Sequence, residues 1–388
     1  MNDQDGGAPL AGMRVLEISS FVAAPLGGMT LAQLGAEVIR VDPLGGAADI
    51  ARWPLAPDGG SLYWAGLNKG KRSVTLDLRS PEGQRTVADL VANSGPDGGI
   101  VLTNAGFPWL SYGALRERRP DLIHLAITGK HDGTTAVDYT VNAGIGFPLA
   151  TGDEGLRGPV NHVLPAWDVA CGLYAATGLL AAERHRRRTG AGSSITLALA
   201  DVALAITGHL GFLAEAALTG TGRPRIGNHL YGSFARDFRT RGGDSVMVVA
   251  LTARHFADLA RATGLTETFT RLADLLGADF GADADRYAHR EVIAALLAPW
   301  FARRTVAEIA AELGGSTVLW ERYRTFAELS AATETLANPL VALIDQPGIG
   351  RILATGIPLA SASIHGAPAS APRLGADTEA VLRELQGG

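Results

Sequence analysis

MRVLEISSFVAAPLGGMTLAQLGAEVIRVD, residues 13–42, decides the fold class of this 388-residue chain. Met13–Ile18 reads as a short apolar strand, and Phe21–Gly28 as a turn holding Pro25 and a glycine pair. Met29–Gly35 then reads as a helix with Leu31 and Leu34 on one face, closed by Gly35. Glu37–Val41 is a second strand, ending in the acidic Asp42. Strand, turn, helix and strand within thirty residues make a βαβ unit, whose ligands lie beyond the carboxyl ends of the strands. The turn reads FVAAPLGGM and lacks G-x-G-x-x-G, which excludes an NAD or FAD site there and leaves room for another phosphate-bearing ligand.

The alternation continues outward. Strands are expected at Ser73–Leu78, Gly99–Thr103 and Leu122–Ile127, with a helix over Pro81–Asn93. A long helix is expected from Asp168 to Arg188, stopping at Thr189-Gly190, its last turns rich in Arg and thus complementing the helix dipole. Another runs from about Leu197 to Leu218, a buried helix interrupted by Asp201, His209 and Glu215. TGTGRPRIG between Gly220 and Gly227 is a linker. Residues 230–330 read as a smaller α+β unit opening with a hairpin, Gly232–Arg239 against Ser245–Leu251. From Asn338 the chain turns extended and Pro/Gly-rich, and PRLGADTEAVLRELQ ends it as a short helix.

Composition narrows the function. Hydrophobic residues make up 47% of a 40.3 kDa chain, enough for a large core. The formal charge of −5 and pI near 6.0 argue against a general nucleic-acid binder, which needs a basic face. One cysteine, Cys171, excludes an internal disulfide framework and a cysteine-cluster metal site, and its apolar context reads as packing. MNDQDGGAPLAGM has neither the basic nor the apolar region of a signal peptide, so a cytoplasmic location is expected. The nine histidines show no paired metal-ligand spacing, and no G-x-S-x-G or Walker lysine loop is present, so no metal site is expected.

Three stretches can carry chemistry. Asp168, in NHVLPAWD, reads both as the N-cap of its helix and as a carboxylate nucleophile kept ionised by the helix N-terminus. Gly172, one turn on, allows close approach of a ligand or a second helix. Asn68-Lys69-Gly70-Lys71-Arg72 is either a solvated loop or a phosphate site. Asp138-Tyr139-Thr140-Val141-Asn142 reads as a loop whose Tyr139 and Asn142 can bind a substrate carboxylate, with Asp138 as a further substrate-binding candidate.

These strings, together with LGAEVIRVD and the helix ending RRRTGAG, resemble the class III CoA-transferases over nearly the whole chain. The resemblance implies a Rossmann-like large domain from both chain ends (1–220 and 338–388) with an inserted small domain (228–330). It also implies an interlocked homodimer, with CoA on the large domain and its thioester near the small domain of the partner chain. It places the nucleophile on Asp168 and CoA contacts on Phe21, Val22, Ala23, Ala24, Arg40, Asn68, Lys69, Lys71 and Arg72, with Asn104 and Lys130 as further contacts. No cofactor is implied beyond CoA as part of the substrate. Racemase members carry a His before the aspartate matching Asp138 and a Glu in the segment matching Val249–Phe256. Here those positions are Val137 and Ala253 or Thr252, so no base–acid pair is evident for α-proton transfer. The glycine-rich lid of other members is not visible in residues 228–243, and a basic residue after Asn104 gives way to the apolar GFPWLSYG. SLYWAGLNKGKRS, VDYTVN, VNHVLPAWD, TGHLGFLAEA and DQPGIGR resemble members that move CoA between the two carboxyls of one mesaconate. The alternatives are intermolecular transfer from a dicarboxylyl-CoA such as succinyl-CoA, and a non-catalytic acyl-CoA-binding homologue.

Overall fold

The computed structural model describes residues 7–364 and 366–387. At its centre β1 (Arg14–Ile18) pairs in parallel with β2 (Glu37–Pro43) and β4 (Ile100–Thr103), Leu16 standing opposite Ile39 on one side and Val101 on the other. With β3 (Arg72–Leu76), β5 (Ile123–Thr128) and β6 (Ser193–Ala198) they form one parallel sheet in the order β3-β2-β1-β4-β5-β6. That order reverses direction at β1/β4, and the crevice above the reversal is where sheets of this kind bind ligands.

The first helix departs from the expected turn. α1 spans Ala23–Gln33, so Pro25 and the glycine pair lie inside it. Proline fits a first turn, where its missing N–H has no intrahelical partner to lose. The glycines are there for packing: a Cβ at Gly27 would sit 3.0 Å from the Gly172 carbonyl oxygen, and one at Gly28 would sit 1.8 Å from Glu17 Oε2. What reads as a turn signal is a helix that has given up side chains to come close to its neighbours.

Five helices follow: α2 (Leu62–Leu67), α3 (Pro81–Ala92), α4 (Tyr112–Arg116), α5 (Asp138–Gly144) and α6 (Phe147–Ala150). Beyond them run α7 (Ala166–Thr189), α8 (Leu199–His209) and α9 (Phe212–Thr219). One face of the sheet buries Leu16, Ile39, Val74 and Val101 against Val87 and Leu90 of α3, Leu115 of α4 and Val381 of the C-terminal helix Thr378–Gly387. Each such side chain stabilises the fold by about 1.5–3 kcal/mol. α1 and α7 lie on the other face, Gly27 against Leu102 and Gly178 against Leu125. The C-terminal helix also holds the β3 edge, since Asp377 and Thr378 accept the Ser73 and Thr75 amides.

The single helix expected over 197–218 is instead the end of β6 followed by α8 and α9, and α9 has no buried residue. A continuous apolar composition without Gly or Pro hid the boundary at Ala198/Leu199. Among the described residues no single helix is long and apolar enough to cross a membrane; the bent α8–α9 pair passes by length and composition.

The chain divides into two compact units, residues 1–145, 162–214 and 330–388, and residues 146–161 and 215–329. In the second, β7 (Phe234–Arg239) and β8 (Ser245–Ala250) form the expected hairpin, closed by the Thr240 amide on the Asp244 carbonyl at 2.9 Å. A third strand unseen in the sequence, β9 (Leu319–Arg322), pairs antiparallel with β8. Phe234, Phe238, Phe256, Phe269, Phe280 and Phe301 make its core. Residues 146–161 belong to this unit because the Arg225 guanidinium donates to the carbonyls of Pro148, Leu149, Leu156 and Gly158. The family resemblance implies a first large-domain segment of residues 1–220, which would include them.

Candidate active site

Asp168 is the third residue of α7, not its cap. The position before the helix is Pro165, which has no side chain to offer, and the capping work falls to Asp138. Asp138 Oδ2 accepts the backbone N–H groups of Trp167 at 2.8 Å and Asp168 at 3.0 Å. Those are two of the four donors that a helix start leaves unpaired. Asp138 itself opens α5, so VDYTVN is a helix where a loop was expected. Its Asn142, four residues on, accepts from Trp167 Nε1 at 3.1 Å. Asp138 and Asn142 are buried beneath the start of α7, whereas Tyr139 is exposed.

Gly172 brings α7 against α1. A Cβ there would meet the Ala23 carbonyl oxygen at 2.7 Å and Leu26 Cβ at 3.0 Å. Asp168, one turn earlier, is thereby set beside the N-terminus of α1. No side chain caps that helix, and Ala23 and Ala24 carry N–H groups without intrahelical partners. The loop leading in is held by Asn104, whose amide accepts the Ser20 N–H at 3.0 Å and donates to the Ser20 carbonyl at 2.8 Å. Phe21 follows at φ +67°, left-handed backbone that a side chain of its size rarely adopts.

The Asp168 carboxylate is half-buried, and among the described residues no donor reaches it. Burial and the charge of Asp138 push its carboxyl up to about 6, against the opposing pull of Arg52. The helix start therefore does not hold Asp168 in the ordinary carboxylate range, as the sequence led one to expect. It is still mostly ionised at neutral pH. Tyr63 on α2 is pushed up to about 12 by burial and by the Asp168 charge, with Arg52 opposing. Burial, and Asp168 beside it, push the Cys171 thiol up to about 12 also. Its side chain is fully enclosed, so it packs and is no nucleophile.

The cations of NKGKRS turn inward. Lys71 Nζ is bonded to Glu17 Oε1 at 2.8 Å, the Pro25 carbonyl at 2.9 Å and Asn68 Oδ1 at 2.9 Å. Burial brings its ammonium down to about 8 despite Glu17. Arg40 lies fully buried over the Trp64 ring, bonded to Asp42, Asp49, Asn68 and the Ser19 carbonyl. Burial also lifts the Asp42 carboxyl above its usual range, Arg40 notwithstanding. Arg72 pairs with Glu37 and Glu384, and Lys69 Nζ donates to the Gly66 carbonyl at 2.6 Å. A solvated loop does not describe these residues. Nor do Arg40 and Lys71 present a free charge to CoA phosphates: both are enclosed, with their charges matched by carboxylates of the chain.

Above the carboxyl ends of β1, β2, β3 and β4 opens a cavity of about 700 Å³, lined among others by Ser20, Leu44, Arg79, Asn104 and Phe107. Phe107 stacks on Trp109 with centroids 5.4 Å apart. Of the expected CoA residues only Asn104 lines this space. Lys130 is exposed on the loop after β5. Arg52, Tyr63, Arg79 and Phe107 were not singled out from the sequence. The alternation of SLYW and the position of Arg79 just past β3 are weak signals for two of them. Among the described residues no three His, Cys, Asp or Glu side chains converge as a metal site.

The family model for CoA-transferase family III matches residues 10–378. The chain is 50% identical to 2-methylfumaryl-CoA isomerase of Chloroflexus aurantiacus, over 97% of this chain and 94% of that protein. It is 29% identical to succinyl-CoA–D-citramalate CoA-transferase of the same organism, over 100% and 96%. Among solved structures, a CaiB/BaiF family protein from Brucella suis superposes with TM-score 0.81 at 25% identity, covering 98% of this chain and all of that one.

Proposed function

The chain belongs to CoA-transferase family III, and from that premise we propose that it isomerises 2-methylfumaryl-CoA by moving CoA from one carboxyl of the diacid to the other. The observation that carries this reading is the 50% identity to 2-methylfumaryl-CoA isomerase along nearly the full length of both proteins. Asp168 is the proposed nucleophile. Its carboxylate attacks the thioester carbonyl, the C–S bond breaks, and CoA leaves as thiolate from an aspartyl–acyl anhydride. The thiolate then attacks the aspartyl carbonyl, giving an aspartyl-CoA thioester and a free diacid. The second carboxylate of that diacid attacks the aspartyl thioester and expels the thiolate again. Attack of the thiolate on the acyl carbonyl of this second anhydride releases the isomeric thioester and restores Asp168. No proton is gained or lost over the cycle.

The N–H groups of Ala23 and Ala24 beside Asp168 are placed to stabilise the oxyanions of these steps. CoA is proposed to lie in the cavity above β1–β4 and along Phe21–Ala24, with Lys69, Asn104 and Lys130 as polar contacts. Asn104 also fixes the loop. Asp138 and Asn142 act by seating the start of α7, and Tyr139 is the exposed member of that set. Two copies are proposed to interlock as a homodimer.

The test is incubation with 2-methylfumaryl-CoA alone, following 3-methylfumaryl-CoA by chromatography. Isomer must form without added acid, and labelled free mesaconate must not enter the thioester. Exchange of external acid with ping-pong kinetics would assign intermolecular transfer instead. Binding of CoA without any exchange would assign a non-catalytic role.

A further inference from the structure

Arg52 lies in a loop rich in Pro and Gly, ARWPLAPDGG, and its guanidinium has an unusual setting. It lies 5.3 Å from the centroid of the Phe21 ring and 5.3 Å from that of Tyr63. The loop is held through its backbone as well, the Ser61 hydroxyl donating to the Arg52 carbonyl at 2.6 Å. Among the described residues no carboxylate stands within 4 Å of the guanidinium, although the side chain is exposed. A planar cation steadied by two aromatic faces and left without an anion is prepared to receive one. Phe21, one of the two faces, is held in left-handed backbone, a local strain that persists because its surroundings enforce it.

The location says which anion. Arg52 packs on Phe21, the residue that leads into the start of α1, and against that start lies Gly172, one turn after Asp168. Asp168 receives the acyl end of an acyl-CoA, not its phosphates. A diacid that must exchange one carboxyl for the other carries a free carboxylate at every stage, and in the aspartyl-CoA stage it carries two. Only non-covalent contacts retain it then. We propose that Arg52 is a specificity-determining residue that binds the free carboxylate of the diacyl group and retains the diacid while CoA resides on Asp168. This rests on the isomerase reading above for the retention and on the Asp168 chemistry for the location. A guanidinium–carboxylate pair is bidentate and charge-assisted, the kind of contact worth ten- to a hundredfold in binding.

The experiment compares wild type, Arg52→Gln and Arg52→Lys with 2-methylfumaryl-CoA and with crotonyl-CoA, which lacks the second carboxylate. Borohydride trapping on the Asp168 peptide scores the first half of the reaction with either thioester. The preference for the diacyl thioester is expected to fall roughly thirtyfold or more in Arg52→Gln, with partial recovery in Arg52→Lys. Free mesaconate is expected to accumulate during turnover of the Gln variant. A merely structural role would lower trapping from both thioesters alike, and an unchanged ratio overturns the proposal. Inhibition by free CoA distinguishes the other anion: a loss as large as that for the diacyl thioester assigns Arg52 to a phosphate and overturns it too. If the wild type proves to be an intermolecular transferase, the isomerase reading fails, while the trapping ratio still decides whether Arg52 reads the second carboxylate.

Discussion

Arg40 and Lys71 meet Glu17, Asp42 and Asp49 at the end of β1 and β2, buried from solvent, whereas the side chains of Arg52 and Asp168 stand open or half-open on the same unit with no ion pair or hydrogen bond among the described residues. The first region is a closed knot. Almost every donor and acceptor in it is matched, and removing one partner strands a buried charge. The second is an unfinished arrangement whose groups await partners that are not part of the chain. Charge matched by the chain is structure, and charge left unmatched beside a strained loop is chemistry. The cation-bearing motif NKGKRS thus supplies the knot, and an unremarkable arginine supplies the site.

The largest test of the contrast is Asp168→Asn. Turnover should fall by about ten-thousandfold or more, roughly 5.5 kcal/mol in barrier, because the attacking carboxylate is gone. Stability should not fall with it. Asp138 provides the cap, and the folded protein holds the Asp168 carboxyl at about 6, above its ordinary value. The fold therefore favours the neutral form. That preference is complete below the unfolded value near 4 and is lost as pH rises through about 6, so above pH 6 the ionised group burdens the fold. Thermal unfolding at pH 8 is expected to show the Asn variant equal to or above wild type. More than a tenth of wild-type turnover would remove Asp168 from the mechanism.

Lys71→Ala should do the reverse. It leaves Glu17 enclosed opposite one cation fewer, with Oε2 already lacking a partner, and should lower stability by about 3–5 kcal/mol. Urea unfolding measures it. A loss below about 1 kcal/mol would mean that the knot tolerates an open charge, and the contrast with the site would collapse.

What could be read from the sequence follows the same division. β1, β2 and the second half of the helix between them were legible because apolar periodicity is local, and so was the carboxylate in the first turn of α7. The capping of α7 by Asp138 was not, since it joins residues thirty apart through two backbone amides. The inward turn of Arg40 and Lys71 was not either, because its cause lies at positions 17, 42 and 49, on two other strands and the loop after β2. β6 was lost in an apolar run with no punctuation at its junction with α8. Arg52 had no signal at all, since its meaning comes from Phe21, Tyr63 and Asp168 converging on it in space.

A smaller effect separates the two aspartates that meet at the start of α7. Asp138→Asn keeps a side-chain oxygen for the cap, so stability should change by less than about 1 kcal/mol. It removes the like charge that helps raise Asp168. Activity depends on the ionised form and so is lost as pH falls through about 6. The acid limb of the kcat/KM profile should therefore move to lower pH in the variant, by several tenths of a unit, with the plateau little altered. A limb that stays in place would assign the rise at Asp168 to burial alone.

The smallest expected effect lies at the rim of the knot, and it decides where the knot ends. Arg72 bonds Glu37 and Glu384, its side chain about a quarter exposed at 23%, and so is the one cation of NKGKRS that could exchange a protein carboxylate for a phosphate. If it belongs with Arg40 and Lys71, Arg72→Gln loosens the C-terminal helix from β3. The loss should be about 1 kcal/mol, because a partly exposed pair is screened, and KM for the acyl-CoA should move less than twofold. If it belongs with the open site, KM should rise tenfold and fall away at high salt while stability holds. The pairing with Glu384 favours the first outcome. A bound phosphate would have to displace two carboxylates that the fold already holds beside the guanidinium, and Lys69 nearby has only a carbonyl to give up.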